Sequence, residues 1–217
     1  DMRLYLDTAD ISQWDALLPT GLFYGVTTNP LLAQRAGLRY GAIDWADMAQ
    51  RAADLGAQEL HGQITGDRDH ALRFAETLYD AGQRAGIATV VKLPLSPFGI
   101  AIASHLKSQG GAILMTACYS AKQYITAAAI GSDYIAPYYG RMLDQGIDAG
   151  RVMADMASMM GQSPCRPLVA SLRTCDQVVN LASLGFDCFT LSPDLSRAMM
   201  RDDHTDTAAQ DFERAAQ

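Results

Sequence analysis

The chain has 217 residues, 49% of them hydrophobic and 19% charged, a balance too apolar for an unfolded polypeptide and sufficient for a substantial core. Its formal net charge of −7 repels polyphosphate, which excludes an extended nucleic-acid surface and leaves any substrate phosphate to a few local cations. No apolar stretch approaches the roughly 20 residues needed to cross a bilayer and no export signal is visible, so a soluble, cytoplasmic protein without membrane contacts is expected.

The predicted elements alternate short apolar runs with longer segments of helical period. Residues 4–7 form the first strand, and Asp10 caps a helix from Ile11 onward. Residues 25–27 and 60–64 are the next two strands. Asp69 then precedes an amphipathic run to Ala85, which Gly86 stops. Strand four covers 89–93, and Pro97 sits where a first helical turn tolerates proline. Strands at 112–116, 134–137, 168–170 and 188–191 follow, with Gly110, Gly131 and Gly185 ending the helices before three of them. Residues 192–200 read as the last helix of the repeat, and 205–217 as a charged helical tail. Eight such units without a linker or low-complexity tract predict an α/β protein, a single (β/α)8 TIM barrel spanning 1–217 with an extra C-terminal helix. The pattern favours a closed barrel over an open doubly wound sheet.

Cys118, Cys165, Cys175 and Cys188 lack paired spacing, and His61, His70, His105 and His204 are scattered, so reduced thiols and no metal site are expected. In a barrel the chemistry belongs at the C-terminal ends of the strands. The polar residues there are Asp7, Thr27, Asn29, Gln63, Lys92, Thr116, Tyr138, Arg141, Ser171, Arg173 and Ser192.

Lys92 is the most informative, because it interrupts the apolar run 88–95 and so should be buried. Burial disfavours an ammonium and enlarges the fraction of neutral amine able to attack a ketone. The alternative is a strand-end lysine whose amine reaches water or a carboxylate. Asp7 would share a mouth with Lys92 and could move protons, or it could close an Asx turn. Arg141 and Arg173, with Ser171 beside the second, suit a phosphate dianion, although isolated surface arginines are more often solvated. Gln63, Thr116 and Tyr138 offer donors and acceptors that could hold one water.

The runs Leu6-Asp7-Thr8-Ala9-Asp10 and Gly25-Val26-Thr27-Thr28-Asn29-Pro30 resemble the start of transaldolases. Val90-Val91-Lys92-Leu93-Pro94 is similar to the Schiff-base strand of that family. Thr116-Ala117-Cys118-Tyr119, Tyr134-Ile135-Ala136-Pro137-Tyr138 and Ala170-Ser171-Leu172-Arg173-Thr174 extend the likeness over nearly the whole chain. Among short members the chain looks most like the bacterial fructose-6-phosphate aldolase subgroup, because Gln63 and Tyr138 stand where transaldolases typically carry glutamate and phenylalanine.

The resemblance implies a class I aldolase, with transfer of the dihydroxyacetone unit to an aldose phosphate as the alternative and an inactive sugar-phosphate binder as the third reading. It assigns the imine to Lys92 and proton transfer to Asp7. Orientation of the dihydroxyacetone unit falls to Thr27 and Asn29, and acid, base or water-positioning roles to Gln63, Thr116 and Tyr138. Ser171, Arg141 and Arg173 would receive the phosphate. No metal or other cofactor is implied, and a homo-pentamer or homo-decamer is, through the C-terminal tail. Leu172 stands where an aromatic is common and Gly140 where asparagine is usual, while His61, Gly62 and Lys122 also depart from the aldolase pattern.

Overall fold

The computed structural model describes residues 1–217 and contains eight parallel strands in one sheet, in the order β7-β6-β5-β4-β3-β2-β1-β8. These are β1 (Arg3–Asp7), β2 (Phe23–Thr27), β3 (Glu59–Gln63), β4 (Ala88–Pro94), β5 (Ile113–Cys118), β6 (Tyr134–Pro137), β7 (Arg166–Pro167) and β8 (Cys188–Leu191). β1 pairs with β8, and a further bridge between Val169 and Phe189 joins the β7 segment to β8, closing the ring as a (β/α)8 barrel. The seventh strand is the one the sequence misplaces. The ladder occupies 166–167, whereas Val169 and Ala170 make only isolated bridges to β8 and to Tyr138. Pro167 lacks the N–H that would face β8, so bonding to β8 begins at Val169, while the Leu168 and Ala170 N–H groups continue the bonds to β6 at the Ile135 and Pro137 carbonyls.

The helices are α1 (Ile11–Leu17), α2 (Pro30–Arg35), α3 (Trp45–Asp54), α4 (Arg68–Ala85), α5 (Pro97–Ser108), α6 (Ala121–Ala129), α7 (Tyr139–Asp144), α8 (Ala149–Met159), α9 (Cys175–Ser183), α10 (Pro193–Met199) and α11 (Asp203–Ala215). Their starts follow local chemistry: Asp10, Asn29, Asp44, Asp67, Ser96 and Ser192 each accept a backbone N–H with the side chain. The cap of α4 is Asp67, not Asp69, which instead sits in the first turn where a carboxylate favours the helix dipole. Gly86 ends that helix at φ 72°, in the left-handed region.

Apolar residues separate into two sets. Outward-facing strand residues such as Leu6, Val26, Leu60, Val91 and Met115 pack against the helix layer, whereas Tyr5, Val90, Leu114, Tyr134, Leu168 and Cys188 fill the barrel itself. Alternation along each strand therefore sends Lys92, two residues beyond Val90, inward and toward the C-terminal mouth. No helix is long and apolar enough to cross a membrane.

Candidate active site

A cavity of about 330 Å3 opens at that mouth, lined by strand ends and the loops after them. Lys92 forms its floor and is only 5% exposed. Its Nζ donates to the Thr28 carbonyl at 2.7 Å. Burial pushes its pKa down to about 8 from 10.5, a fall that Asp7 partly opposes. Asp7 lies in the same cavity, and burial lifts its carboxyl above the usual range despite Lys92 and the hydrogen bond from Thr27. Thr27 Oγ1 donates to Asp7 Oδ1 at 2.7 Å and lies 2.5 Å from Thr190 Oγ1, so three strands fix one carboxylate. Burial thus lowers the proton affinity of the amine and raises that of a carboxyl lining the same cavity, which narrows the gap that proton exchange between them must cross.

Opposite them, Thr116 Oγ1 and Tyr138 OH are 2.7 Å apart, and burial raises the pKa of the phenol. The Arg141 guanidinium lies 5.1 Å from the centre of the Tyr138 ring. Its backbone N–H donates to Ser171 Oγ at 3.1 Å. Gly140 explains itself here, since a Cβ would come within 2.3 Å of the Ser171 carbonyl oxygen, so asparagine is excluded by the close approach of α7 to the β7 loop. Ser171 adopts φ 57°, a left-handed conformation rare without glycine and held by those contacts. Leu172 is buried and forms an apolar part of the wall.

The cavity thus gathers Asp7, Thr27, Asn29, Lys92, Thr116, Tyr138, Arg141, Ser171, Arg173 and Ser192. Two of the sequence candidates stand differently from the rest. Gln63 is not among the lining residues; its backbone N–H and carbonyl are both bonded to the Tyr40 hydroxyl, at 2.7 and 2.6 Å. Arg173 reaches the cavity but is clamped by Asp144 through two hydrogen bonds of 2.7 and 2.5 Å, which partly neutralise it. Asn29 spends its Oδ1 on the Leu32 N–H and so offers its amide N–H groups to a ligand.

Sequence reasoning missed Thr190 and Arg35. Thr190 is an inward residue of β8 whose position follows from strand alternation. Arg35 ends α2, lines the cavity without a carboxylate partner, and acts on Asp7. Only its distance from the Thr27-Thr28-Asn29 motif could have flagged it. The other lysines are poor nucleophile candidates, since Lys107 pairs with Asp133 at 3.0 Å and Lys122 is exposed on α6.

A lactate oxidase of Pediococcus acidilactici superposes with a TM-score of 0.62 at 13% identity, covering 89% of this chain and 63% of the other. A mandelate oxidase gives 0.62 at 13%, covering 89% and 65%. The chain spans less than two thirds of those structures, and the likeness shows the barrel alone. A "Probable transaldolase" of Rhodospirillum centenum is 31% identical over 217 residues, covering 97% of this chain and 89% of that protein. Another from Phenylobacterium zucineum is 30% identical over 215 residues, covering 97% and 94%. The family described as Transaldolase/Fructose-6-phosphate aldolase matches residues 4–217. With its motif residues gathered at one barrel mouth and its sequence matched from end to end, the chain belongs to the transaldolase/fructose-6-phosphate aldolase family.

Proposed function

We propose that the chain is a class I aldolase that forms or cleaves a ketose phosphate such as fructose 6-phosphate through a dihydroxyacetone imine on Lys92. The observation that carries this reading is the buried Lys92 amine, its pKa lowered to about 8, facing the same cavity as Asp7. The neutral amine adds to the C2 ketone, and loss of water gives a cationic iminium. Asp7 takes the proton of the C4 hydroxyl as the C3–C4 bond breaks. The bond electrons enter the iminium to give an enamine, and the aldehyde leaves. Protonation at C3 and addition of water then release dihydroxyacetone and restore the amine. Tyr138 and Thr116, hydrogen-bonded to each other, are the donors placed to serve these proton and water steps. Thr27 and Asn29 orient the three-carbon unit, while Ser171, Arg141 and Arg173 take the phosphate. Gln63, on the inward parity of β3 and level with Lys92, would join Tyr138 in holding the water.

Transfer of the unit to an aldose phosphate is the second reading, favoured by relatives named probable transaldolases. The two separate in one assay. An aldolase releases free dihydroxyacetone from fructose 6-phosphate alone, whereas a transferase turns over only when erythrose 4-phosphate is added. Borohydride reduction with dihydroxyacetone, followed by peptide mass analysis, tests the shared step; no adduct on Lys92 would remove both readings and leave a sugar-phosphate binder. Chelators should leave activity intact. We also infer a homo-oligomer, pentameric or decameric by family likeness, in which the exposed helix α11 packs on a neighbouring subunit, and a cytoplasmic location.

A further inference from the structure

Beneath the reaction site lies a second set of titratable groups that the chemistry at Lys92 does not use. Glu59 and His61 are successive inward residues of β3 and both are buried. His61 Nε2 lies 2.9 Å from Glu59 Oε1. Tyr5 OH donates to the same oxygen at 2.9 Å, and Tyr134 OH donates to Oε2 at 2.8 Å. The carboxylate is thereby satisfied within the barrel, with Arg3 4.0 Å away at its lower end. Burial alone would raise the Glu59 pKa, but the hydrogen bonds from His61, Tyr134 and Tyr5 more than offset this and hold it below the usual range. His61 is driven the other way, since burial disfavours its cation more than Glu59 favours it, so the ring is neutral and donates Nε2–H. Its Nδ1 is left as a fully buried acceptor with no partner.

This pair is tied to the reaction site by the register. His61 lies level with Thr27, which lies level with Asp7. The His61 carbonyl accepts both the N–H and the hydroxyl of Thr28, whose own carbonyl receives Lys92 Nζ. The titratable groups around the imidazole are Tyr5, Asp7 and Arg3 from β1, Glu59 from its own strand, Lys92 from β4, Tyr134 from β6 and Cys188 from β8.

We propose that Glu59 and His61 are positioning residues for the reaction at Lys92: an imidazole locked in one tautomer by a buried carboxylate fills the layer under the lysine, so the iminium forms above a layer without a cation of its own and feels the Glu59 charge, which Arg3 flanks only at its lower end. This rests on the Schiff-base reading. Glu59 lies four residues below Gln63, the register partner of Lys92, about 13 Å at ~3.3 Å per residue. Unit charges at that separation in an effective dielectric of ~20 couple by roughly one pH unit.

The test is the pH dependence of dihydroxyacetone trapping by borohydride, read as adduct on Lys92. Glu59→Gln should lower the midpoint by roughly one unit; because ammonium and iminium lose the same anion, the adduct at sub-saturating dihydroxyacetone should be unchanged below the midpoint and fall about tenfold above it. His61→Phe should shift the midpoint in the same direction, and His61→Gln, which still donates to Glu59, should recover most of that shift. Folded Glu59→Gln and His61→Phe proteins that keep the wild-type midpoint, whatever their yield, overturn the proposal. Adduct missing from the wild type overturns it together with the Schiff-base reading, whereas a wild-type adduct with unmoved variants overturns it alone. Should Glu59→Gln not fold, the 15N shifts of the His61 ring in the wild-type protein decide: a neutral Nε2–H tautomer at pH 7 supports the proposal, and an imidazolium overturns it.

Discussion

Replacing Lys92 by methionine keeps the volume of the side chain but removes the amine, and its effect on stability can be worked out beforehand. The folded-state pKa of about 8 lies some 2.5 units below the unfolded value of 10.5. At ~1.36 kcal/mol per unit, folding the charged lysine costs about 3.4 kcal/mol at any pH where both states are protonated, that is below about 8. Methionine escapes that cost but leaves the Thr28 carbonyl without its donor, a loss of about 1–3 kcal/mol. At pH 7 the variant should therefore be more stable by roughly 1–2 kcal/mol, or ~2–8 °C in Tm for a chain of this size. The sign with pH follows from proton counting. Between about 8 and 10.5 the folded wild type has released the lysine proton while the unfolded chain still holds it, so wild-type stability rises with pH through that window. The advantage of the variant should shrink by about 3 kcal/mol between pH 7 and 10.5 and change sign. Urea unfolding of both proteins at pH 7, 9 and 10.5 measures this difference. A difference that does not vary with pH would mean that Lys92 titrates in the fold as it does in water, and the argument for its nucleophilicity would go with it.

Other outcomes follow from the same geometry. Asp7→Asn should leave the Lys92 adduct obtainable while lowering kcat for carbon bond cleavage about 100-fold, since only the proton transfer is removed; trapping and steady-state assays on one preparation separate the two effects. Arg141→Ala should raise KM for a phosphorylated ketose about tenfold or more with little change for an unphosphorylated one, and Arg173→Ala should do less, because Asp144 already occupies its guanidinium. Gly140→Ala puts a Cβ 2.3 Å from the Ser171 carbonyl oxygen and should cost about 1–3 kcal/mol in urea unfolding, while also disturbing the phosphate loop and raising KM.

Most of the barrel was legible because strand and helix periods differ and because caps and C-terminal glycines follow from backbone sterics. The eighth strand coincided with its apolar run, and the fourth lies one residue beyond its run at each end. The seventh was legible in part: the regular ladder is Arg166–Pro167, yet the expected residues 168–170 still bond to β6 and β8, and the proline that hides the start of the strand from an apolar pattern lies just before them. The site was legible where a polar residue ended an apolar run, as with Lys92, Asp7 and Thr27. It was opaque where function depends on what a side chain is bonded to. Nothing in the order of residues shows that Asp144 would claim Arg173 or that Arg35 would project from α2 into the cavity wall. Glu59 and His61 illustrate the same limit: Glu59 falls just before the expected third strand, and only the closed barrel shows it paired with His61 under a lysine.

The C-terminal helix raises a question that the barrel leaves open. Helix α11 buries none of its residues, yet it carries Phe212, 72% exposed, on an otherwise polar segment. An isolated helix of 13 residues is marginal in water, and this one has no fully buried residue, so a neighbouring surface would add to its stability. Burying one phenylalanine contributes about 1.5–3 kcal/mol, equivalent to about 10- to 100-fold in a dissociation constant for each contact. In the proposed ring every subunit would repeat that contact, so Phe212→Asp, which places a charge in the same spot, should shift the mass measured by light scattering from an oligomer toward a single chain at micromolar concentration. The Lys92 adduct should still form, because α11 contributes no residue to the cavity. A wild-type mass equal to one chain would show that the helix needs no neighbour, and an oligomer unaffected by Phe212→Asp would place the interface on another face of the barrel.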